Sequence, residues 1–188
     1  MLEHRAPLAQ LSRANELSAI DAPGLRVVAV ENRGFVLVQG DPEDPLLHRA
    51  MREQIGVVVP GPRCASIGGE YALLWMAPGQ WLLQAPATRA ATAQAALVAR
   101  LGAAFGAICD ISDAFACFDV GGDVAAEVLM TGCSLDLRPD AFFDGRVARS
   151  VFAGVPVIIW KTDNSSRFRC LVDRGFAEHI WSWLANAR

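Results

Sequence analysis

The sequence predicts an α+β fold in which one β-α-β-β-(β)-α plan occurs twice, the two halves paired about a pseudo-twofold axis. Three observations carry this. Phe35-Val36-Leu37-Val38-Gln39-Gly40-Asp41 leads through Leu46, Met51 and Ile55 into Gly56-Val57-Val58-Val59-Pro60, and Phe115-Ala116-Cys117-Phe118-Asp119-Val120-Gly121-Gly122 leads through Val124 and Met130 into Gly132-Cys133-Ser134-Leu135-Asp136-Leu137-Arg138-Pro139. Each copy then continues as an antiparallel hairpin. Each closes with an amphipathic helix, and helices packed on antiparallel hairpins give an α+β class. The predicted organisation is an N-terminal arm over residues 1–24 and a single domain over 25–188, made of two interlocked halves at about 25–106 and 107–188.

Residues 1–24 are mixed and polar, ending in Pro23-Gly24; a frayed terminus, a short helix or an arm reaching a neighbouring subunit all fit that composition. Leu25-Arg26-Val27-Val28-Ala29-Val30 is rich in β-branched residues and reads as a strand, followed by a turn at Asn32-Arg33-Gly34 and a strand over Phe35–Gln39. Asp41-Pro42-Glu43-Asp44-Pro45 starts a helix, because proline and acids suit a first turn. Leu47, Met51 and Ile55 fall on one of its faces. Residues 56–69 read as loop, with Pro60-Gly61-Pro62 and Gly68-Gly69. Tyr71–Met76 and Trp81–Gln84 form a hairpin around Ala77-Pro78-Gly79-Gln80. Thr88 is positioned to cap an Ala-rich helix to about Ala104, with Ala93, Leu97 and Leu101 on its stripe and Gly102 or Gly106 at its end.

The second half repeats this order. Phe115–Val120 is a strand, and Val124, Val128 and Leu129 mark a helix ending near Gly132. Arg146–Phe152 alternates as a strand. Val155–Trp160 is almost unbroken apolar, which predicts cover on both faces. Asp163-Asn164-Ser165-Ser166 is a hairpin turn before the strand Phe168–Val172. Phe176, Ile180, Trp183 and Leu184 line a final helix.

Composition narrows the function classes. The chain has 188 residues, is 53% hydrophobic and has a mean hydropathy of +0.28. A chain of this size buries on the order of 70% of its unfolded surface, enough for a core without staples. Its hydrophobic fraction leaves room for an apolar face toward a partner. Net charge is −3, Lys161 is the only lysine, and Arg49, Arg52, Arg63, Arg89 and Arg100 are scattered, so no basic stripe for nucleic acid is present. Cys64, Cys109, Cys117, Cys133 and Cys170 are odd in number and never stand at CxxC spacing, which fits reduced, mostly buried thiols in a cytoplasmic protein. No apolar run approaches a membrane span, and Met1-Leu2-Glu3-His4-Arg5 does not open a signal peptide.

A search for chemistry finds no constellation. His4, His48 and His179 lack ligand partners at helical spacing, and the cysteines lack paired spacing. There is no Gly-x-Ser-x-Gly elbow. Cys133 follows a helix, where the dipole disfavours a thiolate. Gly121-Gly122 stands without a dinucleotide or Walker pattern and serves a turn. Of the acids Asp110, Asp113, Asp119 and Asp136, Asp110 and Asp136 flank apolar segments and read as partly buried, hydrogen-bonded structural acids. Trp75, Trp81, Trp160, Trp181 and Trp183 fall at core or interface positions.

Four motifs stand in order along nearly the whole chain: Met76-Ala77-Pro78-Gly79-Gln80-Trp81-Leu82-Leu83, Asp110-Ile111-Ser112-Asp113, Gly132 to Pro139, and Phe176 to Leu184. Together they resemble the gamma-subunit family of heterotetrameric sarcosine oxidase. The resemblance implies a fold similar to the folate-binding domain of glycine-cleavage aminomethyltransferase, with duplicated halves. Asp110-Ile111-Ser112 is similar to the Asp-Val-Ser that opens an early strand of those transferases. Their acidic pair after a later glycine has no counterpart here, since Gly154-Val155-Pro156-Val157-Ile158-Ile159-Trp160 contains no acid. The implied role is a non-catalytic structural subunit that holds no cofactor itself. FAD, FMN, NAD and tetrahydrofolate are implied for the partner subunits, of which the large one is the chief contact. The complex converts sarcosine to glycine and passes the one-carbon unit to tetrahydrofolate. Self-association is expected of the isolated chain. Two other readings remain: a stand-alone folate-binding, aminomethyltransferase-like protein, and the same subunit role in an oxidase of another N-methyl amino acid. No residue is assigned to catalysis, cofactor or metal. Trp81, Cys133, Asp136 and Arg138 are the positions where substitution is expected to disturb fold or assembly.

Overall fold

A computed structural model describes residues 19–102, 106–162 and 166–187. The expectations for the arm over residues 1–18, for the helix end at Ala103 and Ala104, and for the turn at Asp163-Asn164-Ser165 lie outside the described residues. In chain order the strands are β1 (Ile20–Ala22), β2 (Leu25–Ala29), β3 (Arg33–Gln39), β4 (Ala65–Gly68), β5 (Tyr71–Ala77), β6 (Gln80–Pro86), β7 (Ala107–Asp110), β8 (Phe115–Gly121), β9 (Val147–Phe152), β10 (Val155–Lys161) and β11 (Arg167–Asp173). The α-helices are α1 (Pro45–Ala50), α2 (Ala87–Leu101), α3 (Ala125–Gly132) and α4 (Ala177–Asn186). The α+β class is as the sequence predicts. The chain divides into two compact units, Asn32–Asp113 and the described parts of Met1–Glu31 with Ala114–Arg188.

The unit Asn32–Asp113 is an antiparallel sheet of order β4-β5-β6-β3-β7 carrying α1 and α2. Asp44 caps α1 by accepting the Leu46 N–H at 2.8 Å, and Pro45 occupies the first turn. The helix then widens into a π-turn over Met51–Ile55, closed by Gly56 in the left-handed region at φ 79°. Leu47, Met51 and Ile55 are buried on one stripe, as their spacing predicts. Helix α2 buries Ala90, Ala93, Leu97 and Leu101 and stops at Gly102. Thr88 is not its cap. Pro86 turns the chain two residues earlier and the Ala87 N–H bonds the Asn32 carbonyl at 2.9 Å, so Thr88 falls inside the first turn. Strands β4 and β7 were not distinguishable by pattern: each has four residues, and β4 sits at a sheet edge in a stretch that reads as loop.

The other unit is an antiparallel sheet of order β1-β2-β8-β11-β10-β9 with α3 and α4 on its core face. Val27, Phe118, Val120, Ile159 and Phe168 meet Leu129, Ile180 and Leu184 there. In β10 every residue from Val157 to Lys161 is buried, so both faces of that strand are covered, as its unbroken apolar run predicts. The stripe of α4 differs from expectation. Asp173 accepts the Gly175 N–H at 2.9 Å in a 3-10 turn over Arg174–Phe176, which delays the helix to Ala177. The buried stripe is therefore Ala177, Ile180, Trp181 and Leu184, and Phe176 is exposed. Of the residues that mark α3 in the sequence, Leu129 is buried with Ala125 on the core face, and Val124 and Val128 are half-buried.

The duplication is visible in the strand orders. Read from the far edge, β9-β10-β11-β8-β2 repeats β4-β5-β6-β3-β7 position for position. Strand β2 leads into β3 yet pairs with β8, and β7 leads into β8 yet pairs with β3. A boundary near residue 106 thus coincides with neither unit, because the lead-in strand of each half completes the sheet of the other. Without these strands β3 and β8 would each present an unpaired edge. Alternation along a strand fixes its faces but not which edge it joins, so residue patterning could not reveal the exchange.

Candidate functional site

The turn after α3 holds three of the four residues singled out from sequence. Cys133 leaves the helix in extended conformation and forms an isolated bridge with Phe152. Its thiol is buried and lies 3.4 Å from the Ser150 hydroxyl. Gly132, just before it, packs directly under two rings: a Cβ there would lie 2.8 Å from Phe152 and 2.9 Å from Trp183. The rings of Phe152 and Trp183 meet edge-on at 4.7 Å.

Asp136 and Arg138 then close on each other above Leu137, which is fully buried. Arg138 donates from Nε to Oδ1 at 2.9 Å, from Nη2 to Oδ2 at 2.6 Å and from its backbone N–H to Oδ1 at 3.1 Å. The guanidinium, helped by that backbone N–H, holds the Asp136 carboxyl at about 2, and Asp136 in turn raises Arg138. An acid fixed in this way stays ionised at neutral pH with its lone pairs engaged, so it is poorly suited to proton transfer. Both side chains are exposed. Trp81 lies in the other unit, buried in β6 opposite Val38 and Trp75, and its indole Nε1 has no hydrogen-bond partner among the described residues.

The other acids are also engaged. Asp110 accepts both the N–H and the hydroxyl of Ser112, whose oxygen accepts the Phe35 N–H at 3.0 Å. This ties the end of β7 to the start of β3. Asp110 and Asp136 are hydrogen-bonded as expected but exposed rather than partly buried: Asp110 is the last residue of β7, and Asp136 sits in the turn after α3. Asp119 pairs with Arg169 inside the sheet of the second unit, at 2.7 and 2.8 Å. Asp119 carries no local signal for this partner, which lies fifty residues away across a strand pair.

Gly122 adopts φ +112° with its Cβ position 2.2 Å from the Gly24 carbonyl oxygen, and its N–H bonds the Ser166 carbonyl at 3.2 Å. The glycine pair therefore serves a close backbone approach and leaves that N–H engaged rather than facing a phosphate. His48 Nε2 and His179 Nε2 lie 2.8 and 2.9 Å from the carbonyls of Pro42 and Ala153, which fixes the proton on Nε2 in both. Among the described residues no three His, Cys, Asp or Glu side chains are placed to hold a metal. No helix among them is long and apolar enough to cross a membrane. Cys117, Cys133 and Cys170 are buried, and burial, with Cys117 and Asp119 nearby, pushes the Cys170 thiol far up. The second unit also carries a groove of about 810 Å³ between α3 and α4, lined by Val128, Thr131, His179 and Trp183 among others.

Residues 39–188 match the model of the sarcosine oxidase, gamma subunit family. The chain belongs to that family. It is 32% identical to the sarcosine oxidase subunit gamma of Corynebacterium sp. (strain U-96) over 97% of this chain and 89% of that one. It is 30% identical to the subunit gamma of an Arthrobacter sp. over 89% and 92% of the two chains. Among solved structures, a chain of the heterotetrameric sarcosine oxidase from Corynebacterium sp. U-96, in complex with pyrrole 2-carboxylate, superposes with a TM-score of 0.85 at 27% identity, covering 98% of this chain and 94% of that one. The glycine cleavage system aminomethyltransferase T from Bartonella henselae gives 0.69 at 14% identity over 97% of this chain and 57% of that one, a likeness of fold alone. The gamma-subunit fold and the aminomethyltransferase-like fold expected from the motifs are both present.

Proposed function

We propose that this gamma-family chain is the structural subunit of a cytoplasmic heterotetrameric sarcosine oxidase, docked chiefly on the large subunit. FAD, FMN, NAD and tetrahydrofolate belong to its partners, and the complex demethylates sarcosine to glycine. The match over 98% of the chain to a chain of such a tetramer carries this reading. The acids support it: Asp119 and Asp136 are locked to arginines and Asp110 to Ser112, and β10 carries no carboxylate where the transferases place one. Trp81, Cys133, Asp136 and Arg138 serve fold and assembly on this reading.

The test is purification of the tagged chain from its native cells under gentle conditions, followed by native mass, visible spectrum and peroxide production on sarcosine. A yellow complex far heavier than 20.2 kDa that oxidises sarcosine is expected. A complex active only on another N-methyl amino acid would reassign the substrate. A colourless lone chain that binds tetrahydrofolate in calorimetry would replace the subunit role with a folate-binding one.

A further inference from the structure

Lys161, the only lysine of the chain, ends β10 with 8% of its surface exposed. It follows Val157 and Ile159 by alternation and so lies on the core face, with Nζ 5.3 Å over the Phe168 ring. Just before β9, two residues oppose this one. The Gly145 N–H bonds the Lys161 carbonyl at 2.8 Å and the Lys161 N–H bonds the Arg146 carbonyl at 3.0 Å, with Gly145 in the left-handed region at φ 78°. This is a β-bulge, a device that re-aims a side chain. It sets Arg146 opposite Lys161, with the guanidinium 5.0 Å over the ring of Phe143, which is half exposed. Like charges opposed across a strand pair destabilise a sheet. Among the described residues neither cation has a carboxylate within ion-pair distance, and Arg146 Nε is buried without a hydrogen-bond partner.

We propose that Arg146 and Lys161 form a docking site for one carboxylate side chain of a partner subunit, with Phe143 as the apolar contact beside it. This rests on the subunit role proposed above. Charge is the first argument. The fold sets two cations opposite each other, so an incoming carboxylate relieves their repulsion and gains charge-assisted contacts. Preorganisation is the second. An arginine already held over a ring has less rotamer freedom to lose when the partner arrives. The third is the neighbourhood. Asp140 and Asp144, exposed on the same loop, repel a polyanion, and exposed Phe143 offers a protein side chain an apolar neighbour that a free ion cannot use.

The test is carbodiimide treatment of the complex purified from its native cells, which condenses an amine with a carboxylate in contact with it. Because Lys161 is the only lysine, the expected tryptic product spans residues 150–167, uncut after Lys161 and joined to a peptide of another polypeptide. A link to an acid of this chain itself, or no link at Lys161, would overturn the proposal. Two variants approach it from the other side. Lys161→Met keeps the buried stem and removes the charge, and Arg146→Gln removes the fork. Each should weaken association on the order of tenfold or more, read by native mass as dissociation at lower salt. The urea midpoint of the isolated full chain should stay level or rise. Unchanged salt resistance, or a fall only in step with the chain's own stability, also overturns the proposal. A heavy complex that fails these tests leaves the subunit role standing, whereas a chain that purifies alone removes both.

Discussion

Asp119 and Arg169 face each other across β8 and β11 as a two-pronged ion pair, with Nε–Oδ1 at 2.7 Å and Nη2–Oδ2 at 2.8 Å. Their side chains are only 16% and 10% exposed. In the next strand Trp160 stands opposite Arg169, with the guanidinium 5.7 Å over its ring. Asp119, Arg169 and Trp160 thus form one row across three strands, on the face opposite the core residues Phe118 and Val120. A one-residue slip of β11 would set Arg169 against an apolar neighbour and bury its charge unpaired, so the pair specifies register as well as contact.

Removing one member should cost far more than removing both. Arg169→Met leaves a carboxylate in a nearly dry site, with an expected loss of about 3–5 kcal/mol. Asp119→Leu with Arg169→Met should lose less than Arg169→Met alone. Urea unfolding of the three proteins decides it. A loss under ~1 kcal/mol for Arg169→Met would mean that water screens the pair like a surface bridge.

Gly132→Ala should destabilise through overpacking rather than through backbone strain. The added methyl has Phe152 and Trp183 ring carbons within 3 Å, and both rings are held by their edge-on contact. A loss of about 1–3 kcal/mol in thermal or urea unfolding is expected. Adding Trp183→Leu opens room, so the combined variant should fall short of the sum of the two singles. Simple additivity would show that the ring does not meet the methyl.

These contacts mark what the chain discloses by itself. Leu47, Met51 and Ile55, the Pro-Gly hairpin and the apolar run of β10 are local signals, each decided by spacing or turn chemistry within a dozen residues, and each is found where the pattern puts it. The strand exchange and the Asp119–Arg169 pair depend on which strand edges meet, information that no window of sequence holds. On α4 the predicted Ile180 and Leu184 are buried, and the capping bond at Asp173 holds Phe176 in a 3-10 turn outside the helix. Of the candidate positions, Asp136 and Arg138 drew attention through the Leu-Asp-Leu-Arg alternation of their motif, and their pairing over buried Leu137 needed the fold. Cys133 drew attention only through its motif, and its bridge to Phe152 needed the fold.

The five thiols should separate into two classes. Cys109 is exposed and Cys64 half-buried, whereas Cys117, Cys133 and Cys170 are buried, with Cys170 pushed well above the usual thiol range. A disulfide reagent at pH 8 should modify Cys109 first and Cys64 more slowly. The remaining three should react only after denaturant is added. Fast modification of Cys170 in the native protein would contradict the burial of β11.

Acid should loosen the turn after α3 in a defined window. Asp136 is held at about 2 in the folded chain against an ordinary 3.8, so its ionised form favours the folded state. That contribution is complete above roughly pH 5, shrinks as pH falls past the ordinary value and is gone below about 2. Asp136→Asn should therefore be less stable than the parent at pH 6, with the gap closing steadily toward pH 2. Because both side chains are exposed, added salt should narrow the gap at pH 6 as well. Unfolding measured across pH at two ionic strengths separates this from packing. A gap that stays constant with pH would place the effect in the packing of the turn rather than in the charge, because an asparagine oxygen still accepts the Arg138 backbone N–H. Arg138→Lys should lose most of the pH dependence too, since an ammonium cannot make the two-pronged contact that depresses the acid.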